Sequence, residues 1–314
     1  MMIKFIVGID CVEDIEPLCK ASCDEFYCGV KPKSWIEGKN KVESPNARSS
    51  PGTSLASFDE LKKVCDKAHV FKKKVFFTLN AQVNNENSVS MLKFLDSAYN
   101  SGIDGVIISD VALIMDAHTR YPELEIHASS LFPALNSSSI NFLKNIGVKR
   151  TILSRHLTIE DMKKLPKDME YEAFLMNEGC KNVDAFCRFD HGFGEQQQET
   201  PACCISYDMQ CTSCSFTNKK TTQRIKKKIG SSRTRCGICA IKELNNVGCS
   251  VFKIVSRGHS LKNKLAYLEF AKQTVDSMFD TDAVSKNQHK FETCFGYSCT
   301  FDDCYYPNIM GGDN

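Results

Sequence analysis

No stretch of the chain reaches the roughly 18 consecutive apolar residues that a spanning helix needs, so no membrane segment is expected. The opening MMIKFIVGID holds only a short apolar run, broken by Asp10 and lacking a small-residue cleavage site, so no secretory signal is expected either. HExxH and GxSxG are both missing, which leaves zinc-protease and serine-hydrolase chemistry without a local signature. The CxxxCxxC of radical-SAM enzymes is missing too. No GxGxxG follows the first apolar run, which weakens an open dinucleotide-binding sheet. Net charge is small, with 40 Lys and Arg against 38 Asp and Glu, so no global field favours nucleic acid or membrane. A cytoplasmic location follows as the expectation.

Cysteine is what the chain has in excess. There are 17, an odd number that rules out complete internal pairing. In a reducing compartment, thiols at this density point to metal binding or redox chemistry rather than to a disulfide framework. Eight of them fall between Cys180 and Cys239.

Around that segment the chain reads as strand–helix units. Apolar runs at Phe5–Asp10, Glu25–Val30, Lys74–Asn80, Gly105–Asp110, Glu125–Ser130, Arg150–Arg155, Glu170–Asn177 and Val251–Arg257 predict eight strands. Stretches of helical periodicity separate most of them. Gly147 is placed to end one helix, and Thr158-Ile159-Glu160-Asp161 to begin another. Eight strands alternating with helices predict an α/β fold, a TIM-type (β/α)8 barrel. The cysteine-rich segment 178–239 is then an insert after the seventh strand. Residues 1–280 form the barrel domain with its insert, and 281–314 a polar, cysteine-bearing C-terminal tail.

A parallel barrel does its chemistry at the C-terminal ends of its strands. Those ends carry Asp10, Cys28, Asn80, Asp110, His127, Ser129, Arg155, Asn177 and Arg257. Asp110 and Ser129 are also good helix caps. Asn80, His127, Arg155 and Arg257 are the expected lining of a pocket at the mouth. Two arginines there suit an anionic co-substrate such as a carboxylate or phosphate.

In this order and spacing, KKVFFTLN, SGIDGVIISDVALI, PELEIHASSLFPALNSSSINFLKNIGVKRTILSRHLTIEDM and FKIVSRG resemble the collagenase-like peptidase family, peptidase family U-32, over roughly residues 24–260. The resemblance implies a barrel. It also implies iron–sulfur chemistry, because the better understood relatives hydroxylate RNA or quinone precursors without oxygen, some taking the hydroxyl from prephenate. Their 4Fe–4S cluster sits on four cysteines, which by position correspond to Cys180, Cys187, Cys204 and Cys236, with Cys203 a neighbouring competitor. In this chain Cys180 and Cys187 are seven positions apart, Cys204 lies seventeen beyond, and Cys236 lies seventeen before Lys253 of FKIVSRG. Two positions depart from the family. Its Ser-Arg-Glu is Ser154-Arg155-His156, and its His-Gly before the first cysteine is Asn177-Glu178-Gly179. His156 thus stands where relatives keep an acid, and His127 and His156 are the candidates for moving a proton beside Arg155.

Other readings use the same residues. The knuckles Cys211–Cys214 and Cys236–Cys239 have the spacing of a structural zinc ribbon. Cys294, Cys299 and Cys304, joined by Cys239 or Cys214, are a candidate second cluster in the tail. Cys11, Cys19, Cys23 and Cys65 fall on or beside apolar helix faces and read as small buried hydrophobes. From Met209 to Lys242 there is no acidic residue and there are eight or more cations, a stretch that suits RNA phosphates or a solvated hairpin. A U-32-type peptidase is the alternative function. A non-catalytic, cluster-bearing partner subunit is the third, and the sequence leaves hetero- and homo-oligomers open.

Overall fold

The computed structural model describes residues 2–32, 44–48, 52–177, 183–186, 235–300 and 303–310. Cys180, Cys187, Cys203, Cys204, Cys211 and Cys214 lie outside the described residues, as does most of the basic stretch.

Eight parallel strands close into one barrel in sequence order: β1 (Lys4–Gly8), β2 (Glu25–Cys28), β3 (Lys74–Leu79), β4 (Gly105–Ile108), β5 (Glu125–Ala128), β6 (Arg150–Ile152), β7 (Glu170–Met176) and β8 (Cys249–Ile254). β8 returns to pair with β1, Lys4 opposite Val251, and this pairing closes the sheet. Helices cover the outside: α1 (Ile15–Lys20), α2 (Phe58–Val70), α3 (Ser88–Asn100), α4 (Val111–Arg120), α5 (Ser137–Asn145), α6 (Ile159–Met162), α7 (Ile241–Val247) and α8 (Leu261–Ser277). The fold is the TIM-type α/β barrel. No described helix is long and apolar enough to cross a membrane.

Local chemistry sets the helix ends. Ser57, Asp110, Asn136 and Ser260 each accept a backbone N–H from the first turn of the helix that follows. Thr158 and Asp161 form a reciprocal capping box. Gly147 adopts φ +96 just beyond α5, a left-handed conformation that glycine takes without a Cβ penalty.

Alternation along the strands explains why they read as apolar runs. Residues facing the helices are apolar and almost wholly buried, among them Val7, Phe26, Val75, Phe77, Val106, Ile126, Ala173 and Phe252. The inner set is mixed. Gly105 is needed inside, because a Cβ there would stand 2.5 Å from the Glu125 carbonyl and 2.8 Å from the Phe76 ring.

The inner layer near the N-terminal ends of the strands is charged. Arg150 on β6 reaches Glu25 on β2 through two hydrogen bonds, of 2.6 and 3.0 Å. These strands are not neighbours, so the contact crosses the barrel interior. The same guanidinium meets Glu170 at 2.7 Å and Glu172 at 3.3 Å, and Lys253 meets Glu172 at 2.6 Å. Burial works against the Arg150 cation, but Glu25, Glu172 and Glu170 outweigh it and raise its pKa. Burial likewise opposes the Glu172 carboxylate, yet Lys253 and Arg150 hold it below its ordinary value.

His127 belongs to this layer. It was expected at the mouth, but its register partner is Arg150, the first residue of β6. The imidazole is fully buried, lies 4.3 Å from the Phe76 ring by centroids, and has Nε2 3.4 Å from Glu125. Burial lowers its pKa. Hydrogen bonding from His127 draws Glu125 down to about 2, with Lys74 adding to the effect.

These shifts give stability a definite pH dependence. A histidine with a lowered folded pKa takes up its proton in the unfolded chain first, so stability is lost as pH falls below about 6.5. Carboxylates with lowered folded values add to the loss below about 4.3, the unfolded value for glutamate. The urea midpoint is therefore expected to be highest near neutrality, lower at pH 5.5 and much lower at pH 4. A midpoint that rises between pH 7 and 5.5 contradicts this picture.

The C-terminal segment is more structured than its polar composition suggests. It forms α9 (Ala283–Phe295), whose Phe291 and Phe295 pack against Phe270 of α8. Beyond it, residues 303–310 return to the barrel.

Candidate functional site

At the C-terminal end of the barrel, the ends of β6, β7 and β8 meet the returning C-terminal segment. Arg155 follows β6 and lies over the Phe174 ring of β7, 3.6 Å from its centroid. Its Nη1 donates to Asp184 at 2.9 Å, and its backbone N–H to the other carboxylate oxygen at 3.0 Å. Tyr305 also hydrogen-bonds the Arg155 side chain and donates its hydroxyl to the Asn177 carbonyl at 2.5 Å. The Tyr306 hydroxyl donates to the Phe174 carbonyl at 3.3 Å. One cation is thus fixed by a carboxylate, an aromatic face and a phenol.

Asn177 follows β7 in the left-handed region, at φ +66. Its backbone N–H donates to the Arg235 carbonyl at 2.8 Å. Its side-chain amide is buried, and neither of its polar atoms has a hydrogen-bond partner among the described residues. A buried amide in strained backbone at a strand end is the kind of group a ligand completes. Asn80, after β3, likewise has a buried Oδ1 with no partner among the described residues.

Arg257, after β8, points across the barrel. Nη1 lies 3.3 Å from Thr78 Oγ1 and 3.5 Å from Asn46 Oδ1, and the guanidinium stands 5.6 Å from the Tyr27 ring centroid. Lys253, beneath it on β8, sits 3.7 Å from the same ring. Lys253 is the register partner of Phe174, whose ring Arg155 covers, so Arg155 after β6 and Arg257 after β8 lie towards the same end of the lumen.

His156 stands exposed on the rim, with Nδ1 3.4 Å from Ser154 Oγ. Desolvation lowers its pKa, Asp184 opposes this, and Arg155 and Arg235 lower it further. It is therefore neutral near pH 7 and able to accept a proton. The structure brings Arg155, His156, Asn177 and Arg257 to the mouth and leaves His127 deep in the barrel. Asp10, another strand-end residue, pairs instead with Lys264, as does Asp14. The Lys264 ammonium already fills the space between Asp10, Cys11 and Asp14 that would otherwise suit a cation.

Sequence reasoning missed Asp184, Lys253 and Tyr305. Asp184 lies in the insert, where no periodicity applies. Lys253 hides in an apolar run. Tyr305 reaches the mouth only through long-range pairing of the C-terminal segment.

Of the four thiols that resemblance assigns to a cluster, Cys236 alone lies within the described residues. It is buried and bridged in antiparallel fashion to Met176, the last residue of β7, and Cys180 comes four positions after Met176. A soft ligand buried at this strand end fits a metal centre beside the mouth. Cys304 pairs with Cys236 in a parallel bridge, and Cys239 follows Cys236 three positions on. Cys294 is exposed. Cys23 and Cys65 are buried as expected, whereas Cys11 and Cys19 are only partly so.

A closed parallel barrel with polar strand ends defines the class. Within it, the chain belongs to peptidase family U32, whose family model matches residues 11–310. It is 28% identical to tRNA hydroxylation protein P of Escherichia coli (strain K12) over 152 residues, 46% of this chain and 34% of that protein. It is 24% identical to the 23S rRNA 5-hydroxycytidine synthase of the same organism over 147 residues, 46% of this chain and 22% of that protein. The matched stretch thus spans about a third or less of these relatives. The solved structure of the U32 peptidase Mk0906 aligns with a TM-score of 0.42 at 13% identity, covering 56% of this chain and 70% of that one.

Proposed function

We propose that this chain is an oxygen-independent hydroxylase acting on RNA, with an anionic hydroxyl donor held at the barrel mouth. Arg155 carries the reading. It is a strand-end cation fixed in place by Asp184, Phe174 and Tyr305, in a family whose matched relatives hydroxylate tRNA and rRNA.

Replacing C–H by C–OH without oxygen balances when a donor R–OH surrenders its hydroxyl and leaves as R–H. Arg155 and Arg257 orient the donor's carboxylate through paired N–H donors. The Asn177 amide gains the partner it lacks. His156, neutral at working pH and next to Arg155, takes the proton released at the reacting carbon or returns one to the donor. Asp184 keeps Arg155 from swinging towards solvent.

Cys180, Cys187, Cys204 and Cys236 are the proposed holders of a 4Fe–4S cluster, which when bound supplies one-electron redox chemistry beside the mouth. With all four thiols in place, each iron would have its own cysteine ligand and none would be open to the donor, so donor binding would fall to the barrel residues. The basic stretch 219–235 is the proposed contact for RNA phosphates.

A strain lacking the gene, grown without oxygen, is expected to lose a +16 Da species when its RNA nucleosides are compared with wild type by mass spectrometry. If every nucleoside is retained and the purified, metal-free protein cleaves peptides, the peptidase reading replaces this one.

A further inference from the structure

Across the lumen from β6, the described parts of the loop between β2 and α2 return over the strand ends. The Leu55 N–H donates to the Gly29 carbonyl at 2.8 Å, and the Lys31 N–H to the Leu55 carbonyl at 3.0 Å, which lays the end of the loop alongside the end of β2. The Pro45 carbonyl accepts from the Ala81 N–H, just past β3, at 3.1 Å. Between these ties lies Asn46, which is 1% exposed.

The Asn46 amide is fully engaged. Its Nδ2 donates to Ser54 Oγ at 3.0 Å and to the Val30 carbonyl at 3.4 Å, and its Oδ1 accepts from Arg257 Nη1 at 3.5 Å. A carbonyl only accepts and a guanidinium only donates, so these partners fix which way the amide faces. Thr78 is oriented in the same manner. Its hydroxyl proton goes to the Cys28 carbonyl at 2.8 Å, which turns its lone pairs to Arg257 Nη1 at 3.3 Å. The backbone makes room for this cluster at Gly29, where a Cβ would stand 2.7 Å from both Asn46 Cγ and Thr78 Oγ1.

Arg257 is thus gripped by two uncharged oxygens, whereas Arg155 on the facing side is gripped by the Asp184 carboxylate. The difference matters for an anion. A carboxylate cancels part of the charge that it orients, but an amide or hydroxyl oxygen orients a guanidinium without adding a counter-charge. The grip engages only Nη1 of a group that carries five N–H donors.

We propose that Asn46 and Thr78 are positioning residues that aim the Arg257 guanidinium at an anionic ligand in the mouth, and that the site requires them to be neutral. The inference rests on the reading of the mouth as a donor site, and it is tested by binding alone.

The test is calorimetric titration of anaerobically prepared full-length protein with malate, a hydroxy acid, in the absence of RNA. Wild type is expected to bind. Thr78→Val keeps the shape and loses the hydroxyl, and is expected to bind about threefold more weakly or worse. Thr78→Ser keeps the hydroxyl and loses the methyl, and is expected to bind like wild type. Asn46→Asp keeps the size and adds a charge, and is expected to weaken binding roughly tenfold. Asn46→Ser, smaller but neutral, is expected to bind more tightly than Asn46→Asp. A purely space-filling role reverses both orders, because valine fills the Thr78 position better than serine and aspartate fills the Asn46 position better than serine. Urea midpoints show that each variant folds, and if Asn46→Asp does not, the Thr78 pair decides alone. The proposal is overturned if wild type binds no malate, if Thr78→Val binds as tightly as Thr78→Ser, or if a folded Asn46→Asp binds as tightly as Asn46→Ser. Binding that follows the expected orders, together with a gene deletion that leaves every RNA nucleoside in place, supports this proposal and removes the hydroxylation reading.

Discussion

Arg150→Met is expected to lower stability by about 3–5 kcal/mol, the cost of leaving buried charge uncompensated, and so to remove much of the margin of an ordinary domain. Arg150 is 1% exposed, Glu172 0% and Glu25 5%, so water cannot replace the lost guanidinium. Its hydrogen bonds bind β6 to β2 across the lumen and to β7 alongside. Without it, Glu25 loses two hydrogen bonds, and Glu172 keeps only Lys253 of its two cationic partners. The fall in urea midpoint should be partly recovered by adding Glu25→Gln, because that change removes one of the stranded charges. Equal stabilities of wild type and Arg150→Met would show that the network is not structural.

Arg155→Ala is the largest functional effect expected, a loss of roughly 10²–10³-fold in hydroxylation, as for removal of one preorganised electrostatic donor. Iron and sulfide content should be unchanged, since no thiol touches Arg155 among the described contacts. Arg155→Lys should rescue only a minor part. A lysine restores the charge and keeps the backbone N–H bond to Asp184, but not the planar, many-donor guanidinium that meets Asp184, Tyr305 and the Phe174 face together. Full activity in Arg155→Lys would mean that a point charge is enough and that the fixed geometry is incidental.

Much of the barrel was legible because the outer strand face is apolar throughout. Runs such as VFF in β3 and GVII in β4 announce buried parallel strands whatever the inner residues are. Helix limits were legible where a cap is encoded, as at Thr158 and Gly147. The inner charges were not. Glu25, Arg150, Glu172 and Lys253 sit in apolar context with nothing local to pair them, and only closure of the barrel brings β6 opposite β2. His127 was misplaced for a related reason. It is only the third residue of EIHASS, and the register sets it level with the first residue of β6, low in the lumen. Residues 281–314 read as a polar tail because the apolar face of α9 is made of a few aromatics among charges. The strand-end rule did carry Arg155, Asn177 and Arg257 to the mouth, since it depends on strand direction alone. The pairing of Cys236 with Cys304, 68 positions apart, has no local pattern that would reveal it.

The most direct measurement is made in vitro. Anaerobically reconstituted full-length protein is incubated with RNA from the gene-deleted strain and a carboxylate-bearing hydroxyl donor, and the nucleosides are analysed by mass spectrometry. A +16 Da nucleoside that appears with wild type, depends on the donor and is absent with Arg155→Ala is the result expected. No product with wild type, or equal product from wild type and Arg155→Ala, would contradict the assignment of hydroxylation to this barrel mouth.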